Sequence, residues 1–130
     1  MPPPRFIHLR LHSEYSITDG IGRLDDAIAR AAGDGMPALA LTDLANLFGM
    51  VKFYTAARGA GVKPIVGCDA WISDGEAGAG GAGDPATRDG PSRLLLLAKN
   101  HGGYLRLCEL LTSAYLSPRH HGRAGISRAA

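Results

Sequence analysis

The chain has 130 residues, with 14 basic and 12 acidic side chains and a formal charge of +2. That length holds one domain of ordinary size, and 45% hydrophobic with 20% charged residues fits a folded protein rather than a disordered one. The weak positive balance excludes a histone-like or arm-type nucleic-acid binder, but leaves a local basic patch open.

Phe6 to Leu11 reads as a strand, with Ile7, Leu9 and Leu11 on one face and His8, Arg10 and His12 on the other. A loop from His12 to Gly22 follows, turning at Asp19-Gly20. Leu24, Ile28, Ala31 and Ala32 then recur at helical spacing, with Asp25 and Asp26 placed favourably at the helix start. Gly33 and Gly35 end that helix and Pro37 blocks its resumption. The apolar run Ala38 to Thr42, closed by Asp43, has the pattern of a strand buried on both faces. Asn46 is placed to cap a second helix carrying Leu47, Met50, Val51 and Tyr54 inward, closed by Gly59 and Gly61. Lys63 to Ile72 predicts a third strand, Arg93 to Ala98 a fourth, and Tyr104, Leu107, Cys108 and Leu111 one face of a third helix. Such alternation predicts βαβ units and a parallel sheet.

Two stretches interrupt this order. Residues 74–91 are rich in glycine and predict a surface loop. Within it, Gly78 to Gly83 spells a dinucleotide-like GxGxxG, but Asp84-Pro85 follows, so no helix start is available to hold a pyrophosphate. Residues 117–130 read as a polar, basic, disordered tail, in which His120-His121 lacks the rigid frame a metal site needs. Cys68 and Cys108 match no zinc or disulfide pattern and read as buried, reduced thiols. No apolar stretch nears the roughly 20 residues of a membrane span, and Met1 to Arg5 lacks a signal peptide's apolar core. The expected compartment is the cytoplasm.

In parallel α/β folds chemistry gathers at the carboxyl ends of the strands. His12, Asp43 and Asp69 fall at or near such ends, and Asp19 joins them from the loop. One imidazole and three carboxylates suit a hard divalent ion or zinc, with a phosphate ester as substrate. Each also has a plainer role: Asp43 as a helix cap, His12 bonded to a carbonyl, Asp19 in its turn.

The segment Phe6 to Ser16 resembles the opening of the PHP domain of bacterial DNA polymerase III alpha subunits. Gly35 to Asp43, Asn46 to Gly49, Gly61 to Gly67, Leu96 to Asn100, Gly103-Tyr104 and Ser113 to Tyr115 continue the likeness in order. The resemblance implies the first half of a distorted (βα)7 barrel, with residues 1–116 as the N-terminal part of the domain. In catalytic members, His, Asp and Glu residues at the barrel rim hold metal ions that hydrolyse phosphoesters. In others the domain is a platform for a separate proofreading exonuclease. It further implies a parent that polymerises DNA with Mg²⁺, within a replisome, through a catalytic domain outside this chain. No catalytic residue of that step, and no bound cofactor, is expected in this chain.

The family's metal pattern is broken here. Arg10 stands where a histidine opens the first motif, and a guanidinium has only donors and a permanent charge. Leu44 stands where a second histidine is expected, Asp69 replaces a glutamate, and Arg93 falls near another histidine position. His12, Asp19 and Asp69 are the remnant. The expectation is a degenerate site in which Arg10 pairs with both Asp19 and Asp69. The alternative is an active phosphoesterase of the histidinol phosphatase or proofreading type.

Overall fold

The computed structural model describes residues 5–73, 92–117 and 123–127. In chain order these form a 3-10 turn (Glu14–Ser16), α1 (Leu24–Gly33), β1 (Ala38–Leu41), α2 (Met50–Gly59), β2 (Lys63–Ser73), β3 (Ser92–Leu97), α3 (His101–Leu116) and β4 (Gly125–Ser127). The glycine-rich loop and His120-His121 lie outside the described residues.

The helix ends follow the sequence signals. Gly35 and Gly61 take left-handed backbone, with φ of 71° and 75°. At each, the next amide reaches back five residues, Met36 to the Ala31 carbonyl and Val62 to that of Ala57, both at 2.9 Å. Glycine meets that geometry without the Cβ penalty.

β1 and β2 pair in parallel, Ala38 opposite Lys63 through Leu41 opposite Val66. All four β1 residues are buried, as its uninterrupted apolar pattern requires. β3, however, runs antiparallel to β2, Gly67 opposite Leu97 through Ile72 opposite Ser92. The expectation of a wholly parallel sheet fails there. A parallel crossover usually needs a helix, and residues 74–91 carry no helical pattern.

Three further expectations are corrected. Phe6 to Leu11 forms no assigned strand, though it lies beside β1: the His8 and Leu11 carbonyls accept from the Ala40 and Thr42 amides at 3.0 and 2.9 Å. α2 starts at Met50, after Gly49, and Asn46 does not cap it. Its inward residues are therefore Phe53 and Ala57, while Val51 is 70% and Tyr54 42% exposed. Finally, residues 123–127 of the supposed tail are ordered into the sheet, where β4 pairs in parallel with Trp71 to Ser73 of β2. Ala124 and Ile126 supply the apolar surface that a disordered tail would lack, and both are buried.

Two apolar cores result. One packs Leu24, Ile28 and Ala31 of α1 with Phe53 and Ala57 of α2 against Leu39 and Leu41. The other packs Leu107, Leu111 and Ala114 of α3 with Ile126 against Cys68 and Ala70. Cys68 is fully buried and burial pushes its thiol up to about 12, whereas Cys108 is half-buried.

Candidate functional site

β2 alternates, so Cys68, Ala70 and Ile72 meet α3 while Asp69 and Trp71 occupy the opposite face. Leu11 is tied to the end of β1 by its amide, which donates to Thr42 Oγ1 at 2.9 Å. The next residue, His12, is thereby set beside Asp69.

Asp69 is the centre of the cluster. Its side chain is fully buried, and Arg10 grips both oxygens: Nε donates to Oδ2 at 2.9 Å and Nη2 to Oδ1 at 2.7 Å. His12 Nε2 lies 2.9 Å from Oδ2 of the same carboxylate, and its Nδ1 lies 2.8 Å from Asp19 Oδ2. Arg93 Nη1 approaches that Asp19 oxygen at 3.6 Å. Burial pushes the Asp69 carboxyl up, but the hydrogen bonds and charges of Arg10 and His12 outweigh it and hold the group below its ordinary range. The same carboxylate raises the Arg10 guanidinium by hydrogen bonding and by its charge. His12 thus links Asp19 and Asp69. The fork of Arg10 spans Asp69 alone, not both carboxylates; Asp19 belongs to His12 and Arg93.

Asp43 is buried and turned away from this chain of contacts. It accepts from the Ser13 amide at 2.6 Å and from Ser13 Oγ at 3.0 Å to each oxygen. Burial raises its carboxyl above the ordinary value, with the Ser13 and Ser16 donors acting against the rise. Asp43 caps no helix; it anchors the loop that carries His12. Asn46 does similar work: Nδ2 donates to the Tyr15 and Leu44 carbonyls at 2.9 and 3.2 Å, and Oδ1 accepts from the Phe48 amide at 3.1 Å. Leu44 bridges to Asp69 by backbone and donates its amide to Ser16 Oγ at 2.7 Å. Gly20 is required for more than its turn, since a Cβ there would strike the Ser13 carbonyl.

Sequence reasoning missed Ser13, Ser16, Trp71 and Arg123. Trp71, two residues after Asp69 on the same face, was readable from the strand period. Arg93 and Arg123 flank its ring, with guanidinium carbons 5.6 and 4.4 Å from the centroid.

The donors do not fit a catalytic metal cluster. Asp69 has both oxygens engaged by a cation, both ring nitrogens of His12 face carboxylates, and Leu44 offers no donor. Among the described residues no buried side-chain nitrogen or oxygen lacks a partner, and no three His, Cys, Asp or Glu side chains are grouped to hold an ion. A larger apolar cleft of about 550 Å³, between α2, the start of β2 and α3, contains none of these groups. Among the described residues no helix is long and apolar enough to cross a membrane.

The order of strands and helices, with His12, Asp19 and Asp69 gathered beside β2, is carried by a PHP-domain sequence. The chain matches that family over residues 8–129 and belongs to it. It is 49% identical over 116 residues to the DNA polymerase III subunit alpha of Neisseria meningitidis serogroup B, covering 89% of this chain and 9% of the relative. The Escherichia coli K12 subunit is 45% identical over 125 residues, covering 96% of this chain and 10% of its own length. The Pseudomonas aeruginosa subunit is 44% identical over 124 residues, covering 95% and 10%. The chain therefore spans about a tenth of these relatives. Its fold is similar to that of a protein from Bifidobacterium adolescentis assigned as a metal-dependent phosphoesterase, with TM-score 0.52 and 15% identity over 88% of this chain and 36% of the other.

Proposed function

We propose that the chain is the N-terminal part of the PHP domain of a replicative DNA polymerase III alpha subunit, and that it serves there as a structural platform without phosphoesterase chemistry. The observation that carries this reading is the two-pronged Arg10–Asp69 pair. A fixed guanidinium holds the carboxylate where a catalytic relative would hold a metal ion, and His12 and Asp19 extend the network. The cluster can tie the loop, β1 and β2 together, and its donor atoms are taken up by one another: Arg10 and His12 on Asp69, His12 on Asp19. The complete domain would close as a (βα)7 barrel, with this segment running through β4 rather than ending at residue 116. DNA-templated synthesis with Mg²⁺ would belong to a downstream part of the parent, in a cytoplasmic replisome. The partner of the platform would be the proofreading exonuclease, with DNA met through the parent.

Elemental analysis of the full-length polypeptide after dialysis tests this. Less than one zinc or manganese per chain is expected, together with retention of the exonuclease in a pull-down. Two or more ions per chain, with hydrolysis of bis-p-nitrophenyl phosphate abolished by His12→Ala, would establish the phosphoesterase reading instead. Arg10→His with Leu44→His is expected to raise metal affinity, to an extent limited by the partners that orient ligands.

A further inference from the structure

Beside the charged network lies a second cleft, of about 350 Å³, walled by Ile17, Leu44, Phe48, Trp71, Tyr115 and Arg123. Its rim is unusual at Ile17, a β-branched residue with φ 69° and ψ −56°. The Thr18 amide closes on the Ser16 carbonyl at 2.8 Å, making a three-residue γ-turn that is strained for such a side chain. The turn holds Ile17 out of the core at 73% exposure, next to Phe48 at 62%. The opposite wall is fixed, since Tyr115 Oη donates to the Ala45 carbonyl at 2.8 Å.

Charge distinguishes this cleft from its neighbour. Arg10 is engaged by Asp69 and Arg93 approaches Asp19. Among the described residues no carboxylate lies within ion-pair reach of Arg123, which stands instead over Trp71 at 4.4 Å. The cleft thus offers two exposed apolar side chains, an aromatic floor and one cation not neutralised by these residues. A nucleic-acid strand needs a row of cations along its backbone; one cation in a largely apolar wall suits a single carboxylate flanked by apolar side chains.

We infer that this cleft receives a segment of a partner polypeptide, seating an apolar side chain between Ile17, Phe48 and Trp71 and a carboxylate on Arg123. The inference rests on the platform reading above, and adds the surface and the chemistry of what docks there.

The test places the photoreactive residue p-benzoylphenylalanine at position 17 of the full-length chain in its host, with position 21 as control, followed by irradiation and mass spectrometry of the adducts. The expected result is one polypeptide segment captured from position 17 and not from 21, with an Asp, a Glu or a carboxyl terminus within about three residues of the cross-link, the reach of neighbouring extended residues. Capture is expected to fall at least about tenfold in Arg123→Gln, the worth of one charge-assisted bond, and to persist in Arg123→Lys. Nucleic-acid adducts, no adduct, a segment without a carboxylate, or capture indifferent to Arg123→Gln would each overturn it. Retention of the exonuclease despite such a result would leave the platform reading standing and remove only this surface.

Discussion

Replacing Ser13 by alanine isolates the anchor that holds the His12 loop. The Ser13 hydroxyl lies 3.0 Å from each oxygen of the buried Asp43 carboxylate, while the Ser13 amide, kept in the variant, donates at 2.6 Å. A hydrogen bond to a charged acceptor contributes about 1.5–3 kcal/mol. The same hydroxyl oxygen accepts from the Tyr15 amide at 3.2 Å, a cap whose loss costs about 1 kcal/mol. The sum, about 2.5–4 kcal/mol, corresponds to roughly 60- to 700-fold faster local opening at 1.4 kcal/mol per decade. Amide hydrogen exchange of residues 13–22 in the full-length chain measures it directly.

The pH dependence fixes the cause. The Asp43 carboxyl is raised in the folded chain, so its ionised form is disfavoured by folding. The group subtracts stability above its folded value and ceases to do so as pH falls through that value toward the ordinary one. Removing the Ser13 hydroxyl raises the carboxyl further. The effect of Ser13→Ala is therefore expected to be larger at pH 7 than at pH 4, since protonation of Asp43 replaces the charged bond by a neutral one of about 1 kcal/mol. In an Asp43→Asn background the charged component should vanish at both pH values. A rise in exchange below about threefold at pH 7, or equal effects at both pH values after correction for intrinsic rates, would refute the assignment of Asp43 as the loop's anchor.

Asp69 gives the opposite sign: its carboxyl is lowered in the fold, so its contribution is present above the ordinary carboxylate range and lost as pH falls through the lowered folded value, which should appear as faster exchange around residues 43–45 and 69 in acid. Asp19→Asn and His12→Ala are expected to loosen the same region and weaken polymerase assembly without changing any nuclease rate; a nuclease rate that falls with stability intact would contradict the structural role. Gly20→Ala should displace the loop, since its Cβ meets the Ser13 carbonyl, while Gly22→Ala, with nothing within 4 Å, should match wild type in soluble yield and exchange. These 130 residues expressed alone are expected to self-associate in light scattering, because Leu94 is 50% and Leu97 41% exposed on β3 and each buried leucine would contribute about 1.5–3 kcal/mol; a sharp, reversible, monomeric transition would overturn that view.

Much of the frame was legible in the residues themselves. Gly35 and Gly61 announced the helix ends, and the unbroken apolar run of Ala38 to Leu41 announced a buried strand. The errors share a cause: local pattern does not report what lies across the sheet. Leu94 to Leu97 read as a parallel strand, yet its direction was set by a connection without helical pattern. Asn46 has the side chain of a helix cap, but its Oδ1 accepts from the Phe48 amide and its Nδ2 donates to the Tyr15 and Leu44 carbonyls, so it orders the loop, and the helix begins at Met50 with a different face inward. β4 has only three residues, and its place is set by contacts with Trp71 to Ser73 that no short window contains.

At the site, residue types were readable while pairings were not. Arg10, His12, Asp19 and Asp69 stand out by chemistry, but which carboxylate takes the guanidinium depends on depth. Asp69 lies in the buried stretch Gly67 to Ala70 of β2, so its charge needs a fixed counter-charge, and the planar fork of Arg10 supplies two bonds at once. Asp19, on a more exposed loop, can share a histidine with Asp69 and approach Arg93 at longer range. The same period of two that buries Cys68 and Ala70 against α3 sends Trp71 to the face of Asp69. One strand thereby carries both the paired centre of the network and the floor of the adjoining cleft, so a change in the register of β2 would disturb the two together.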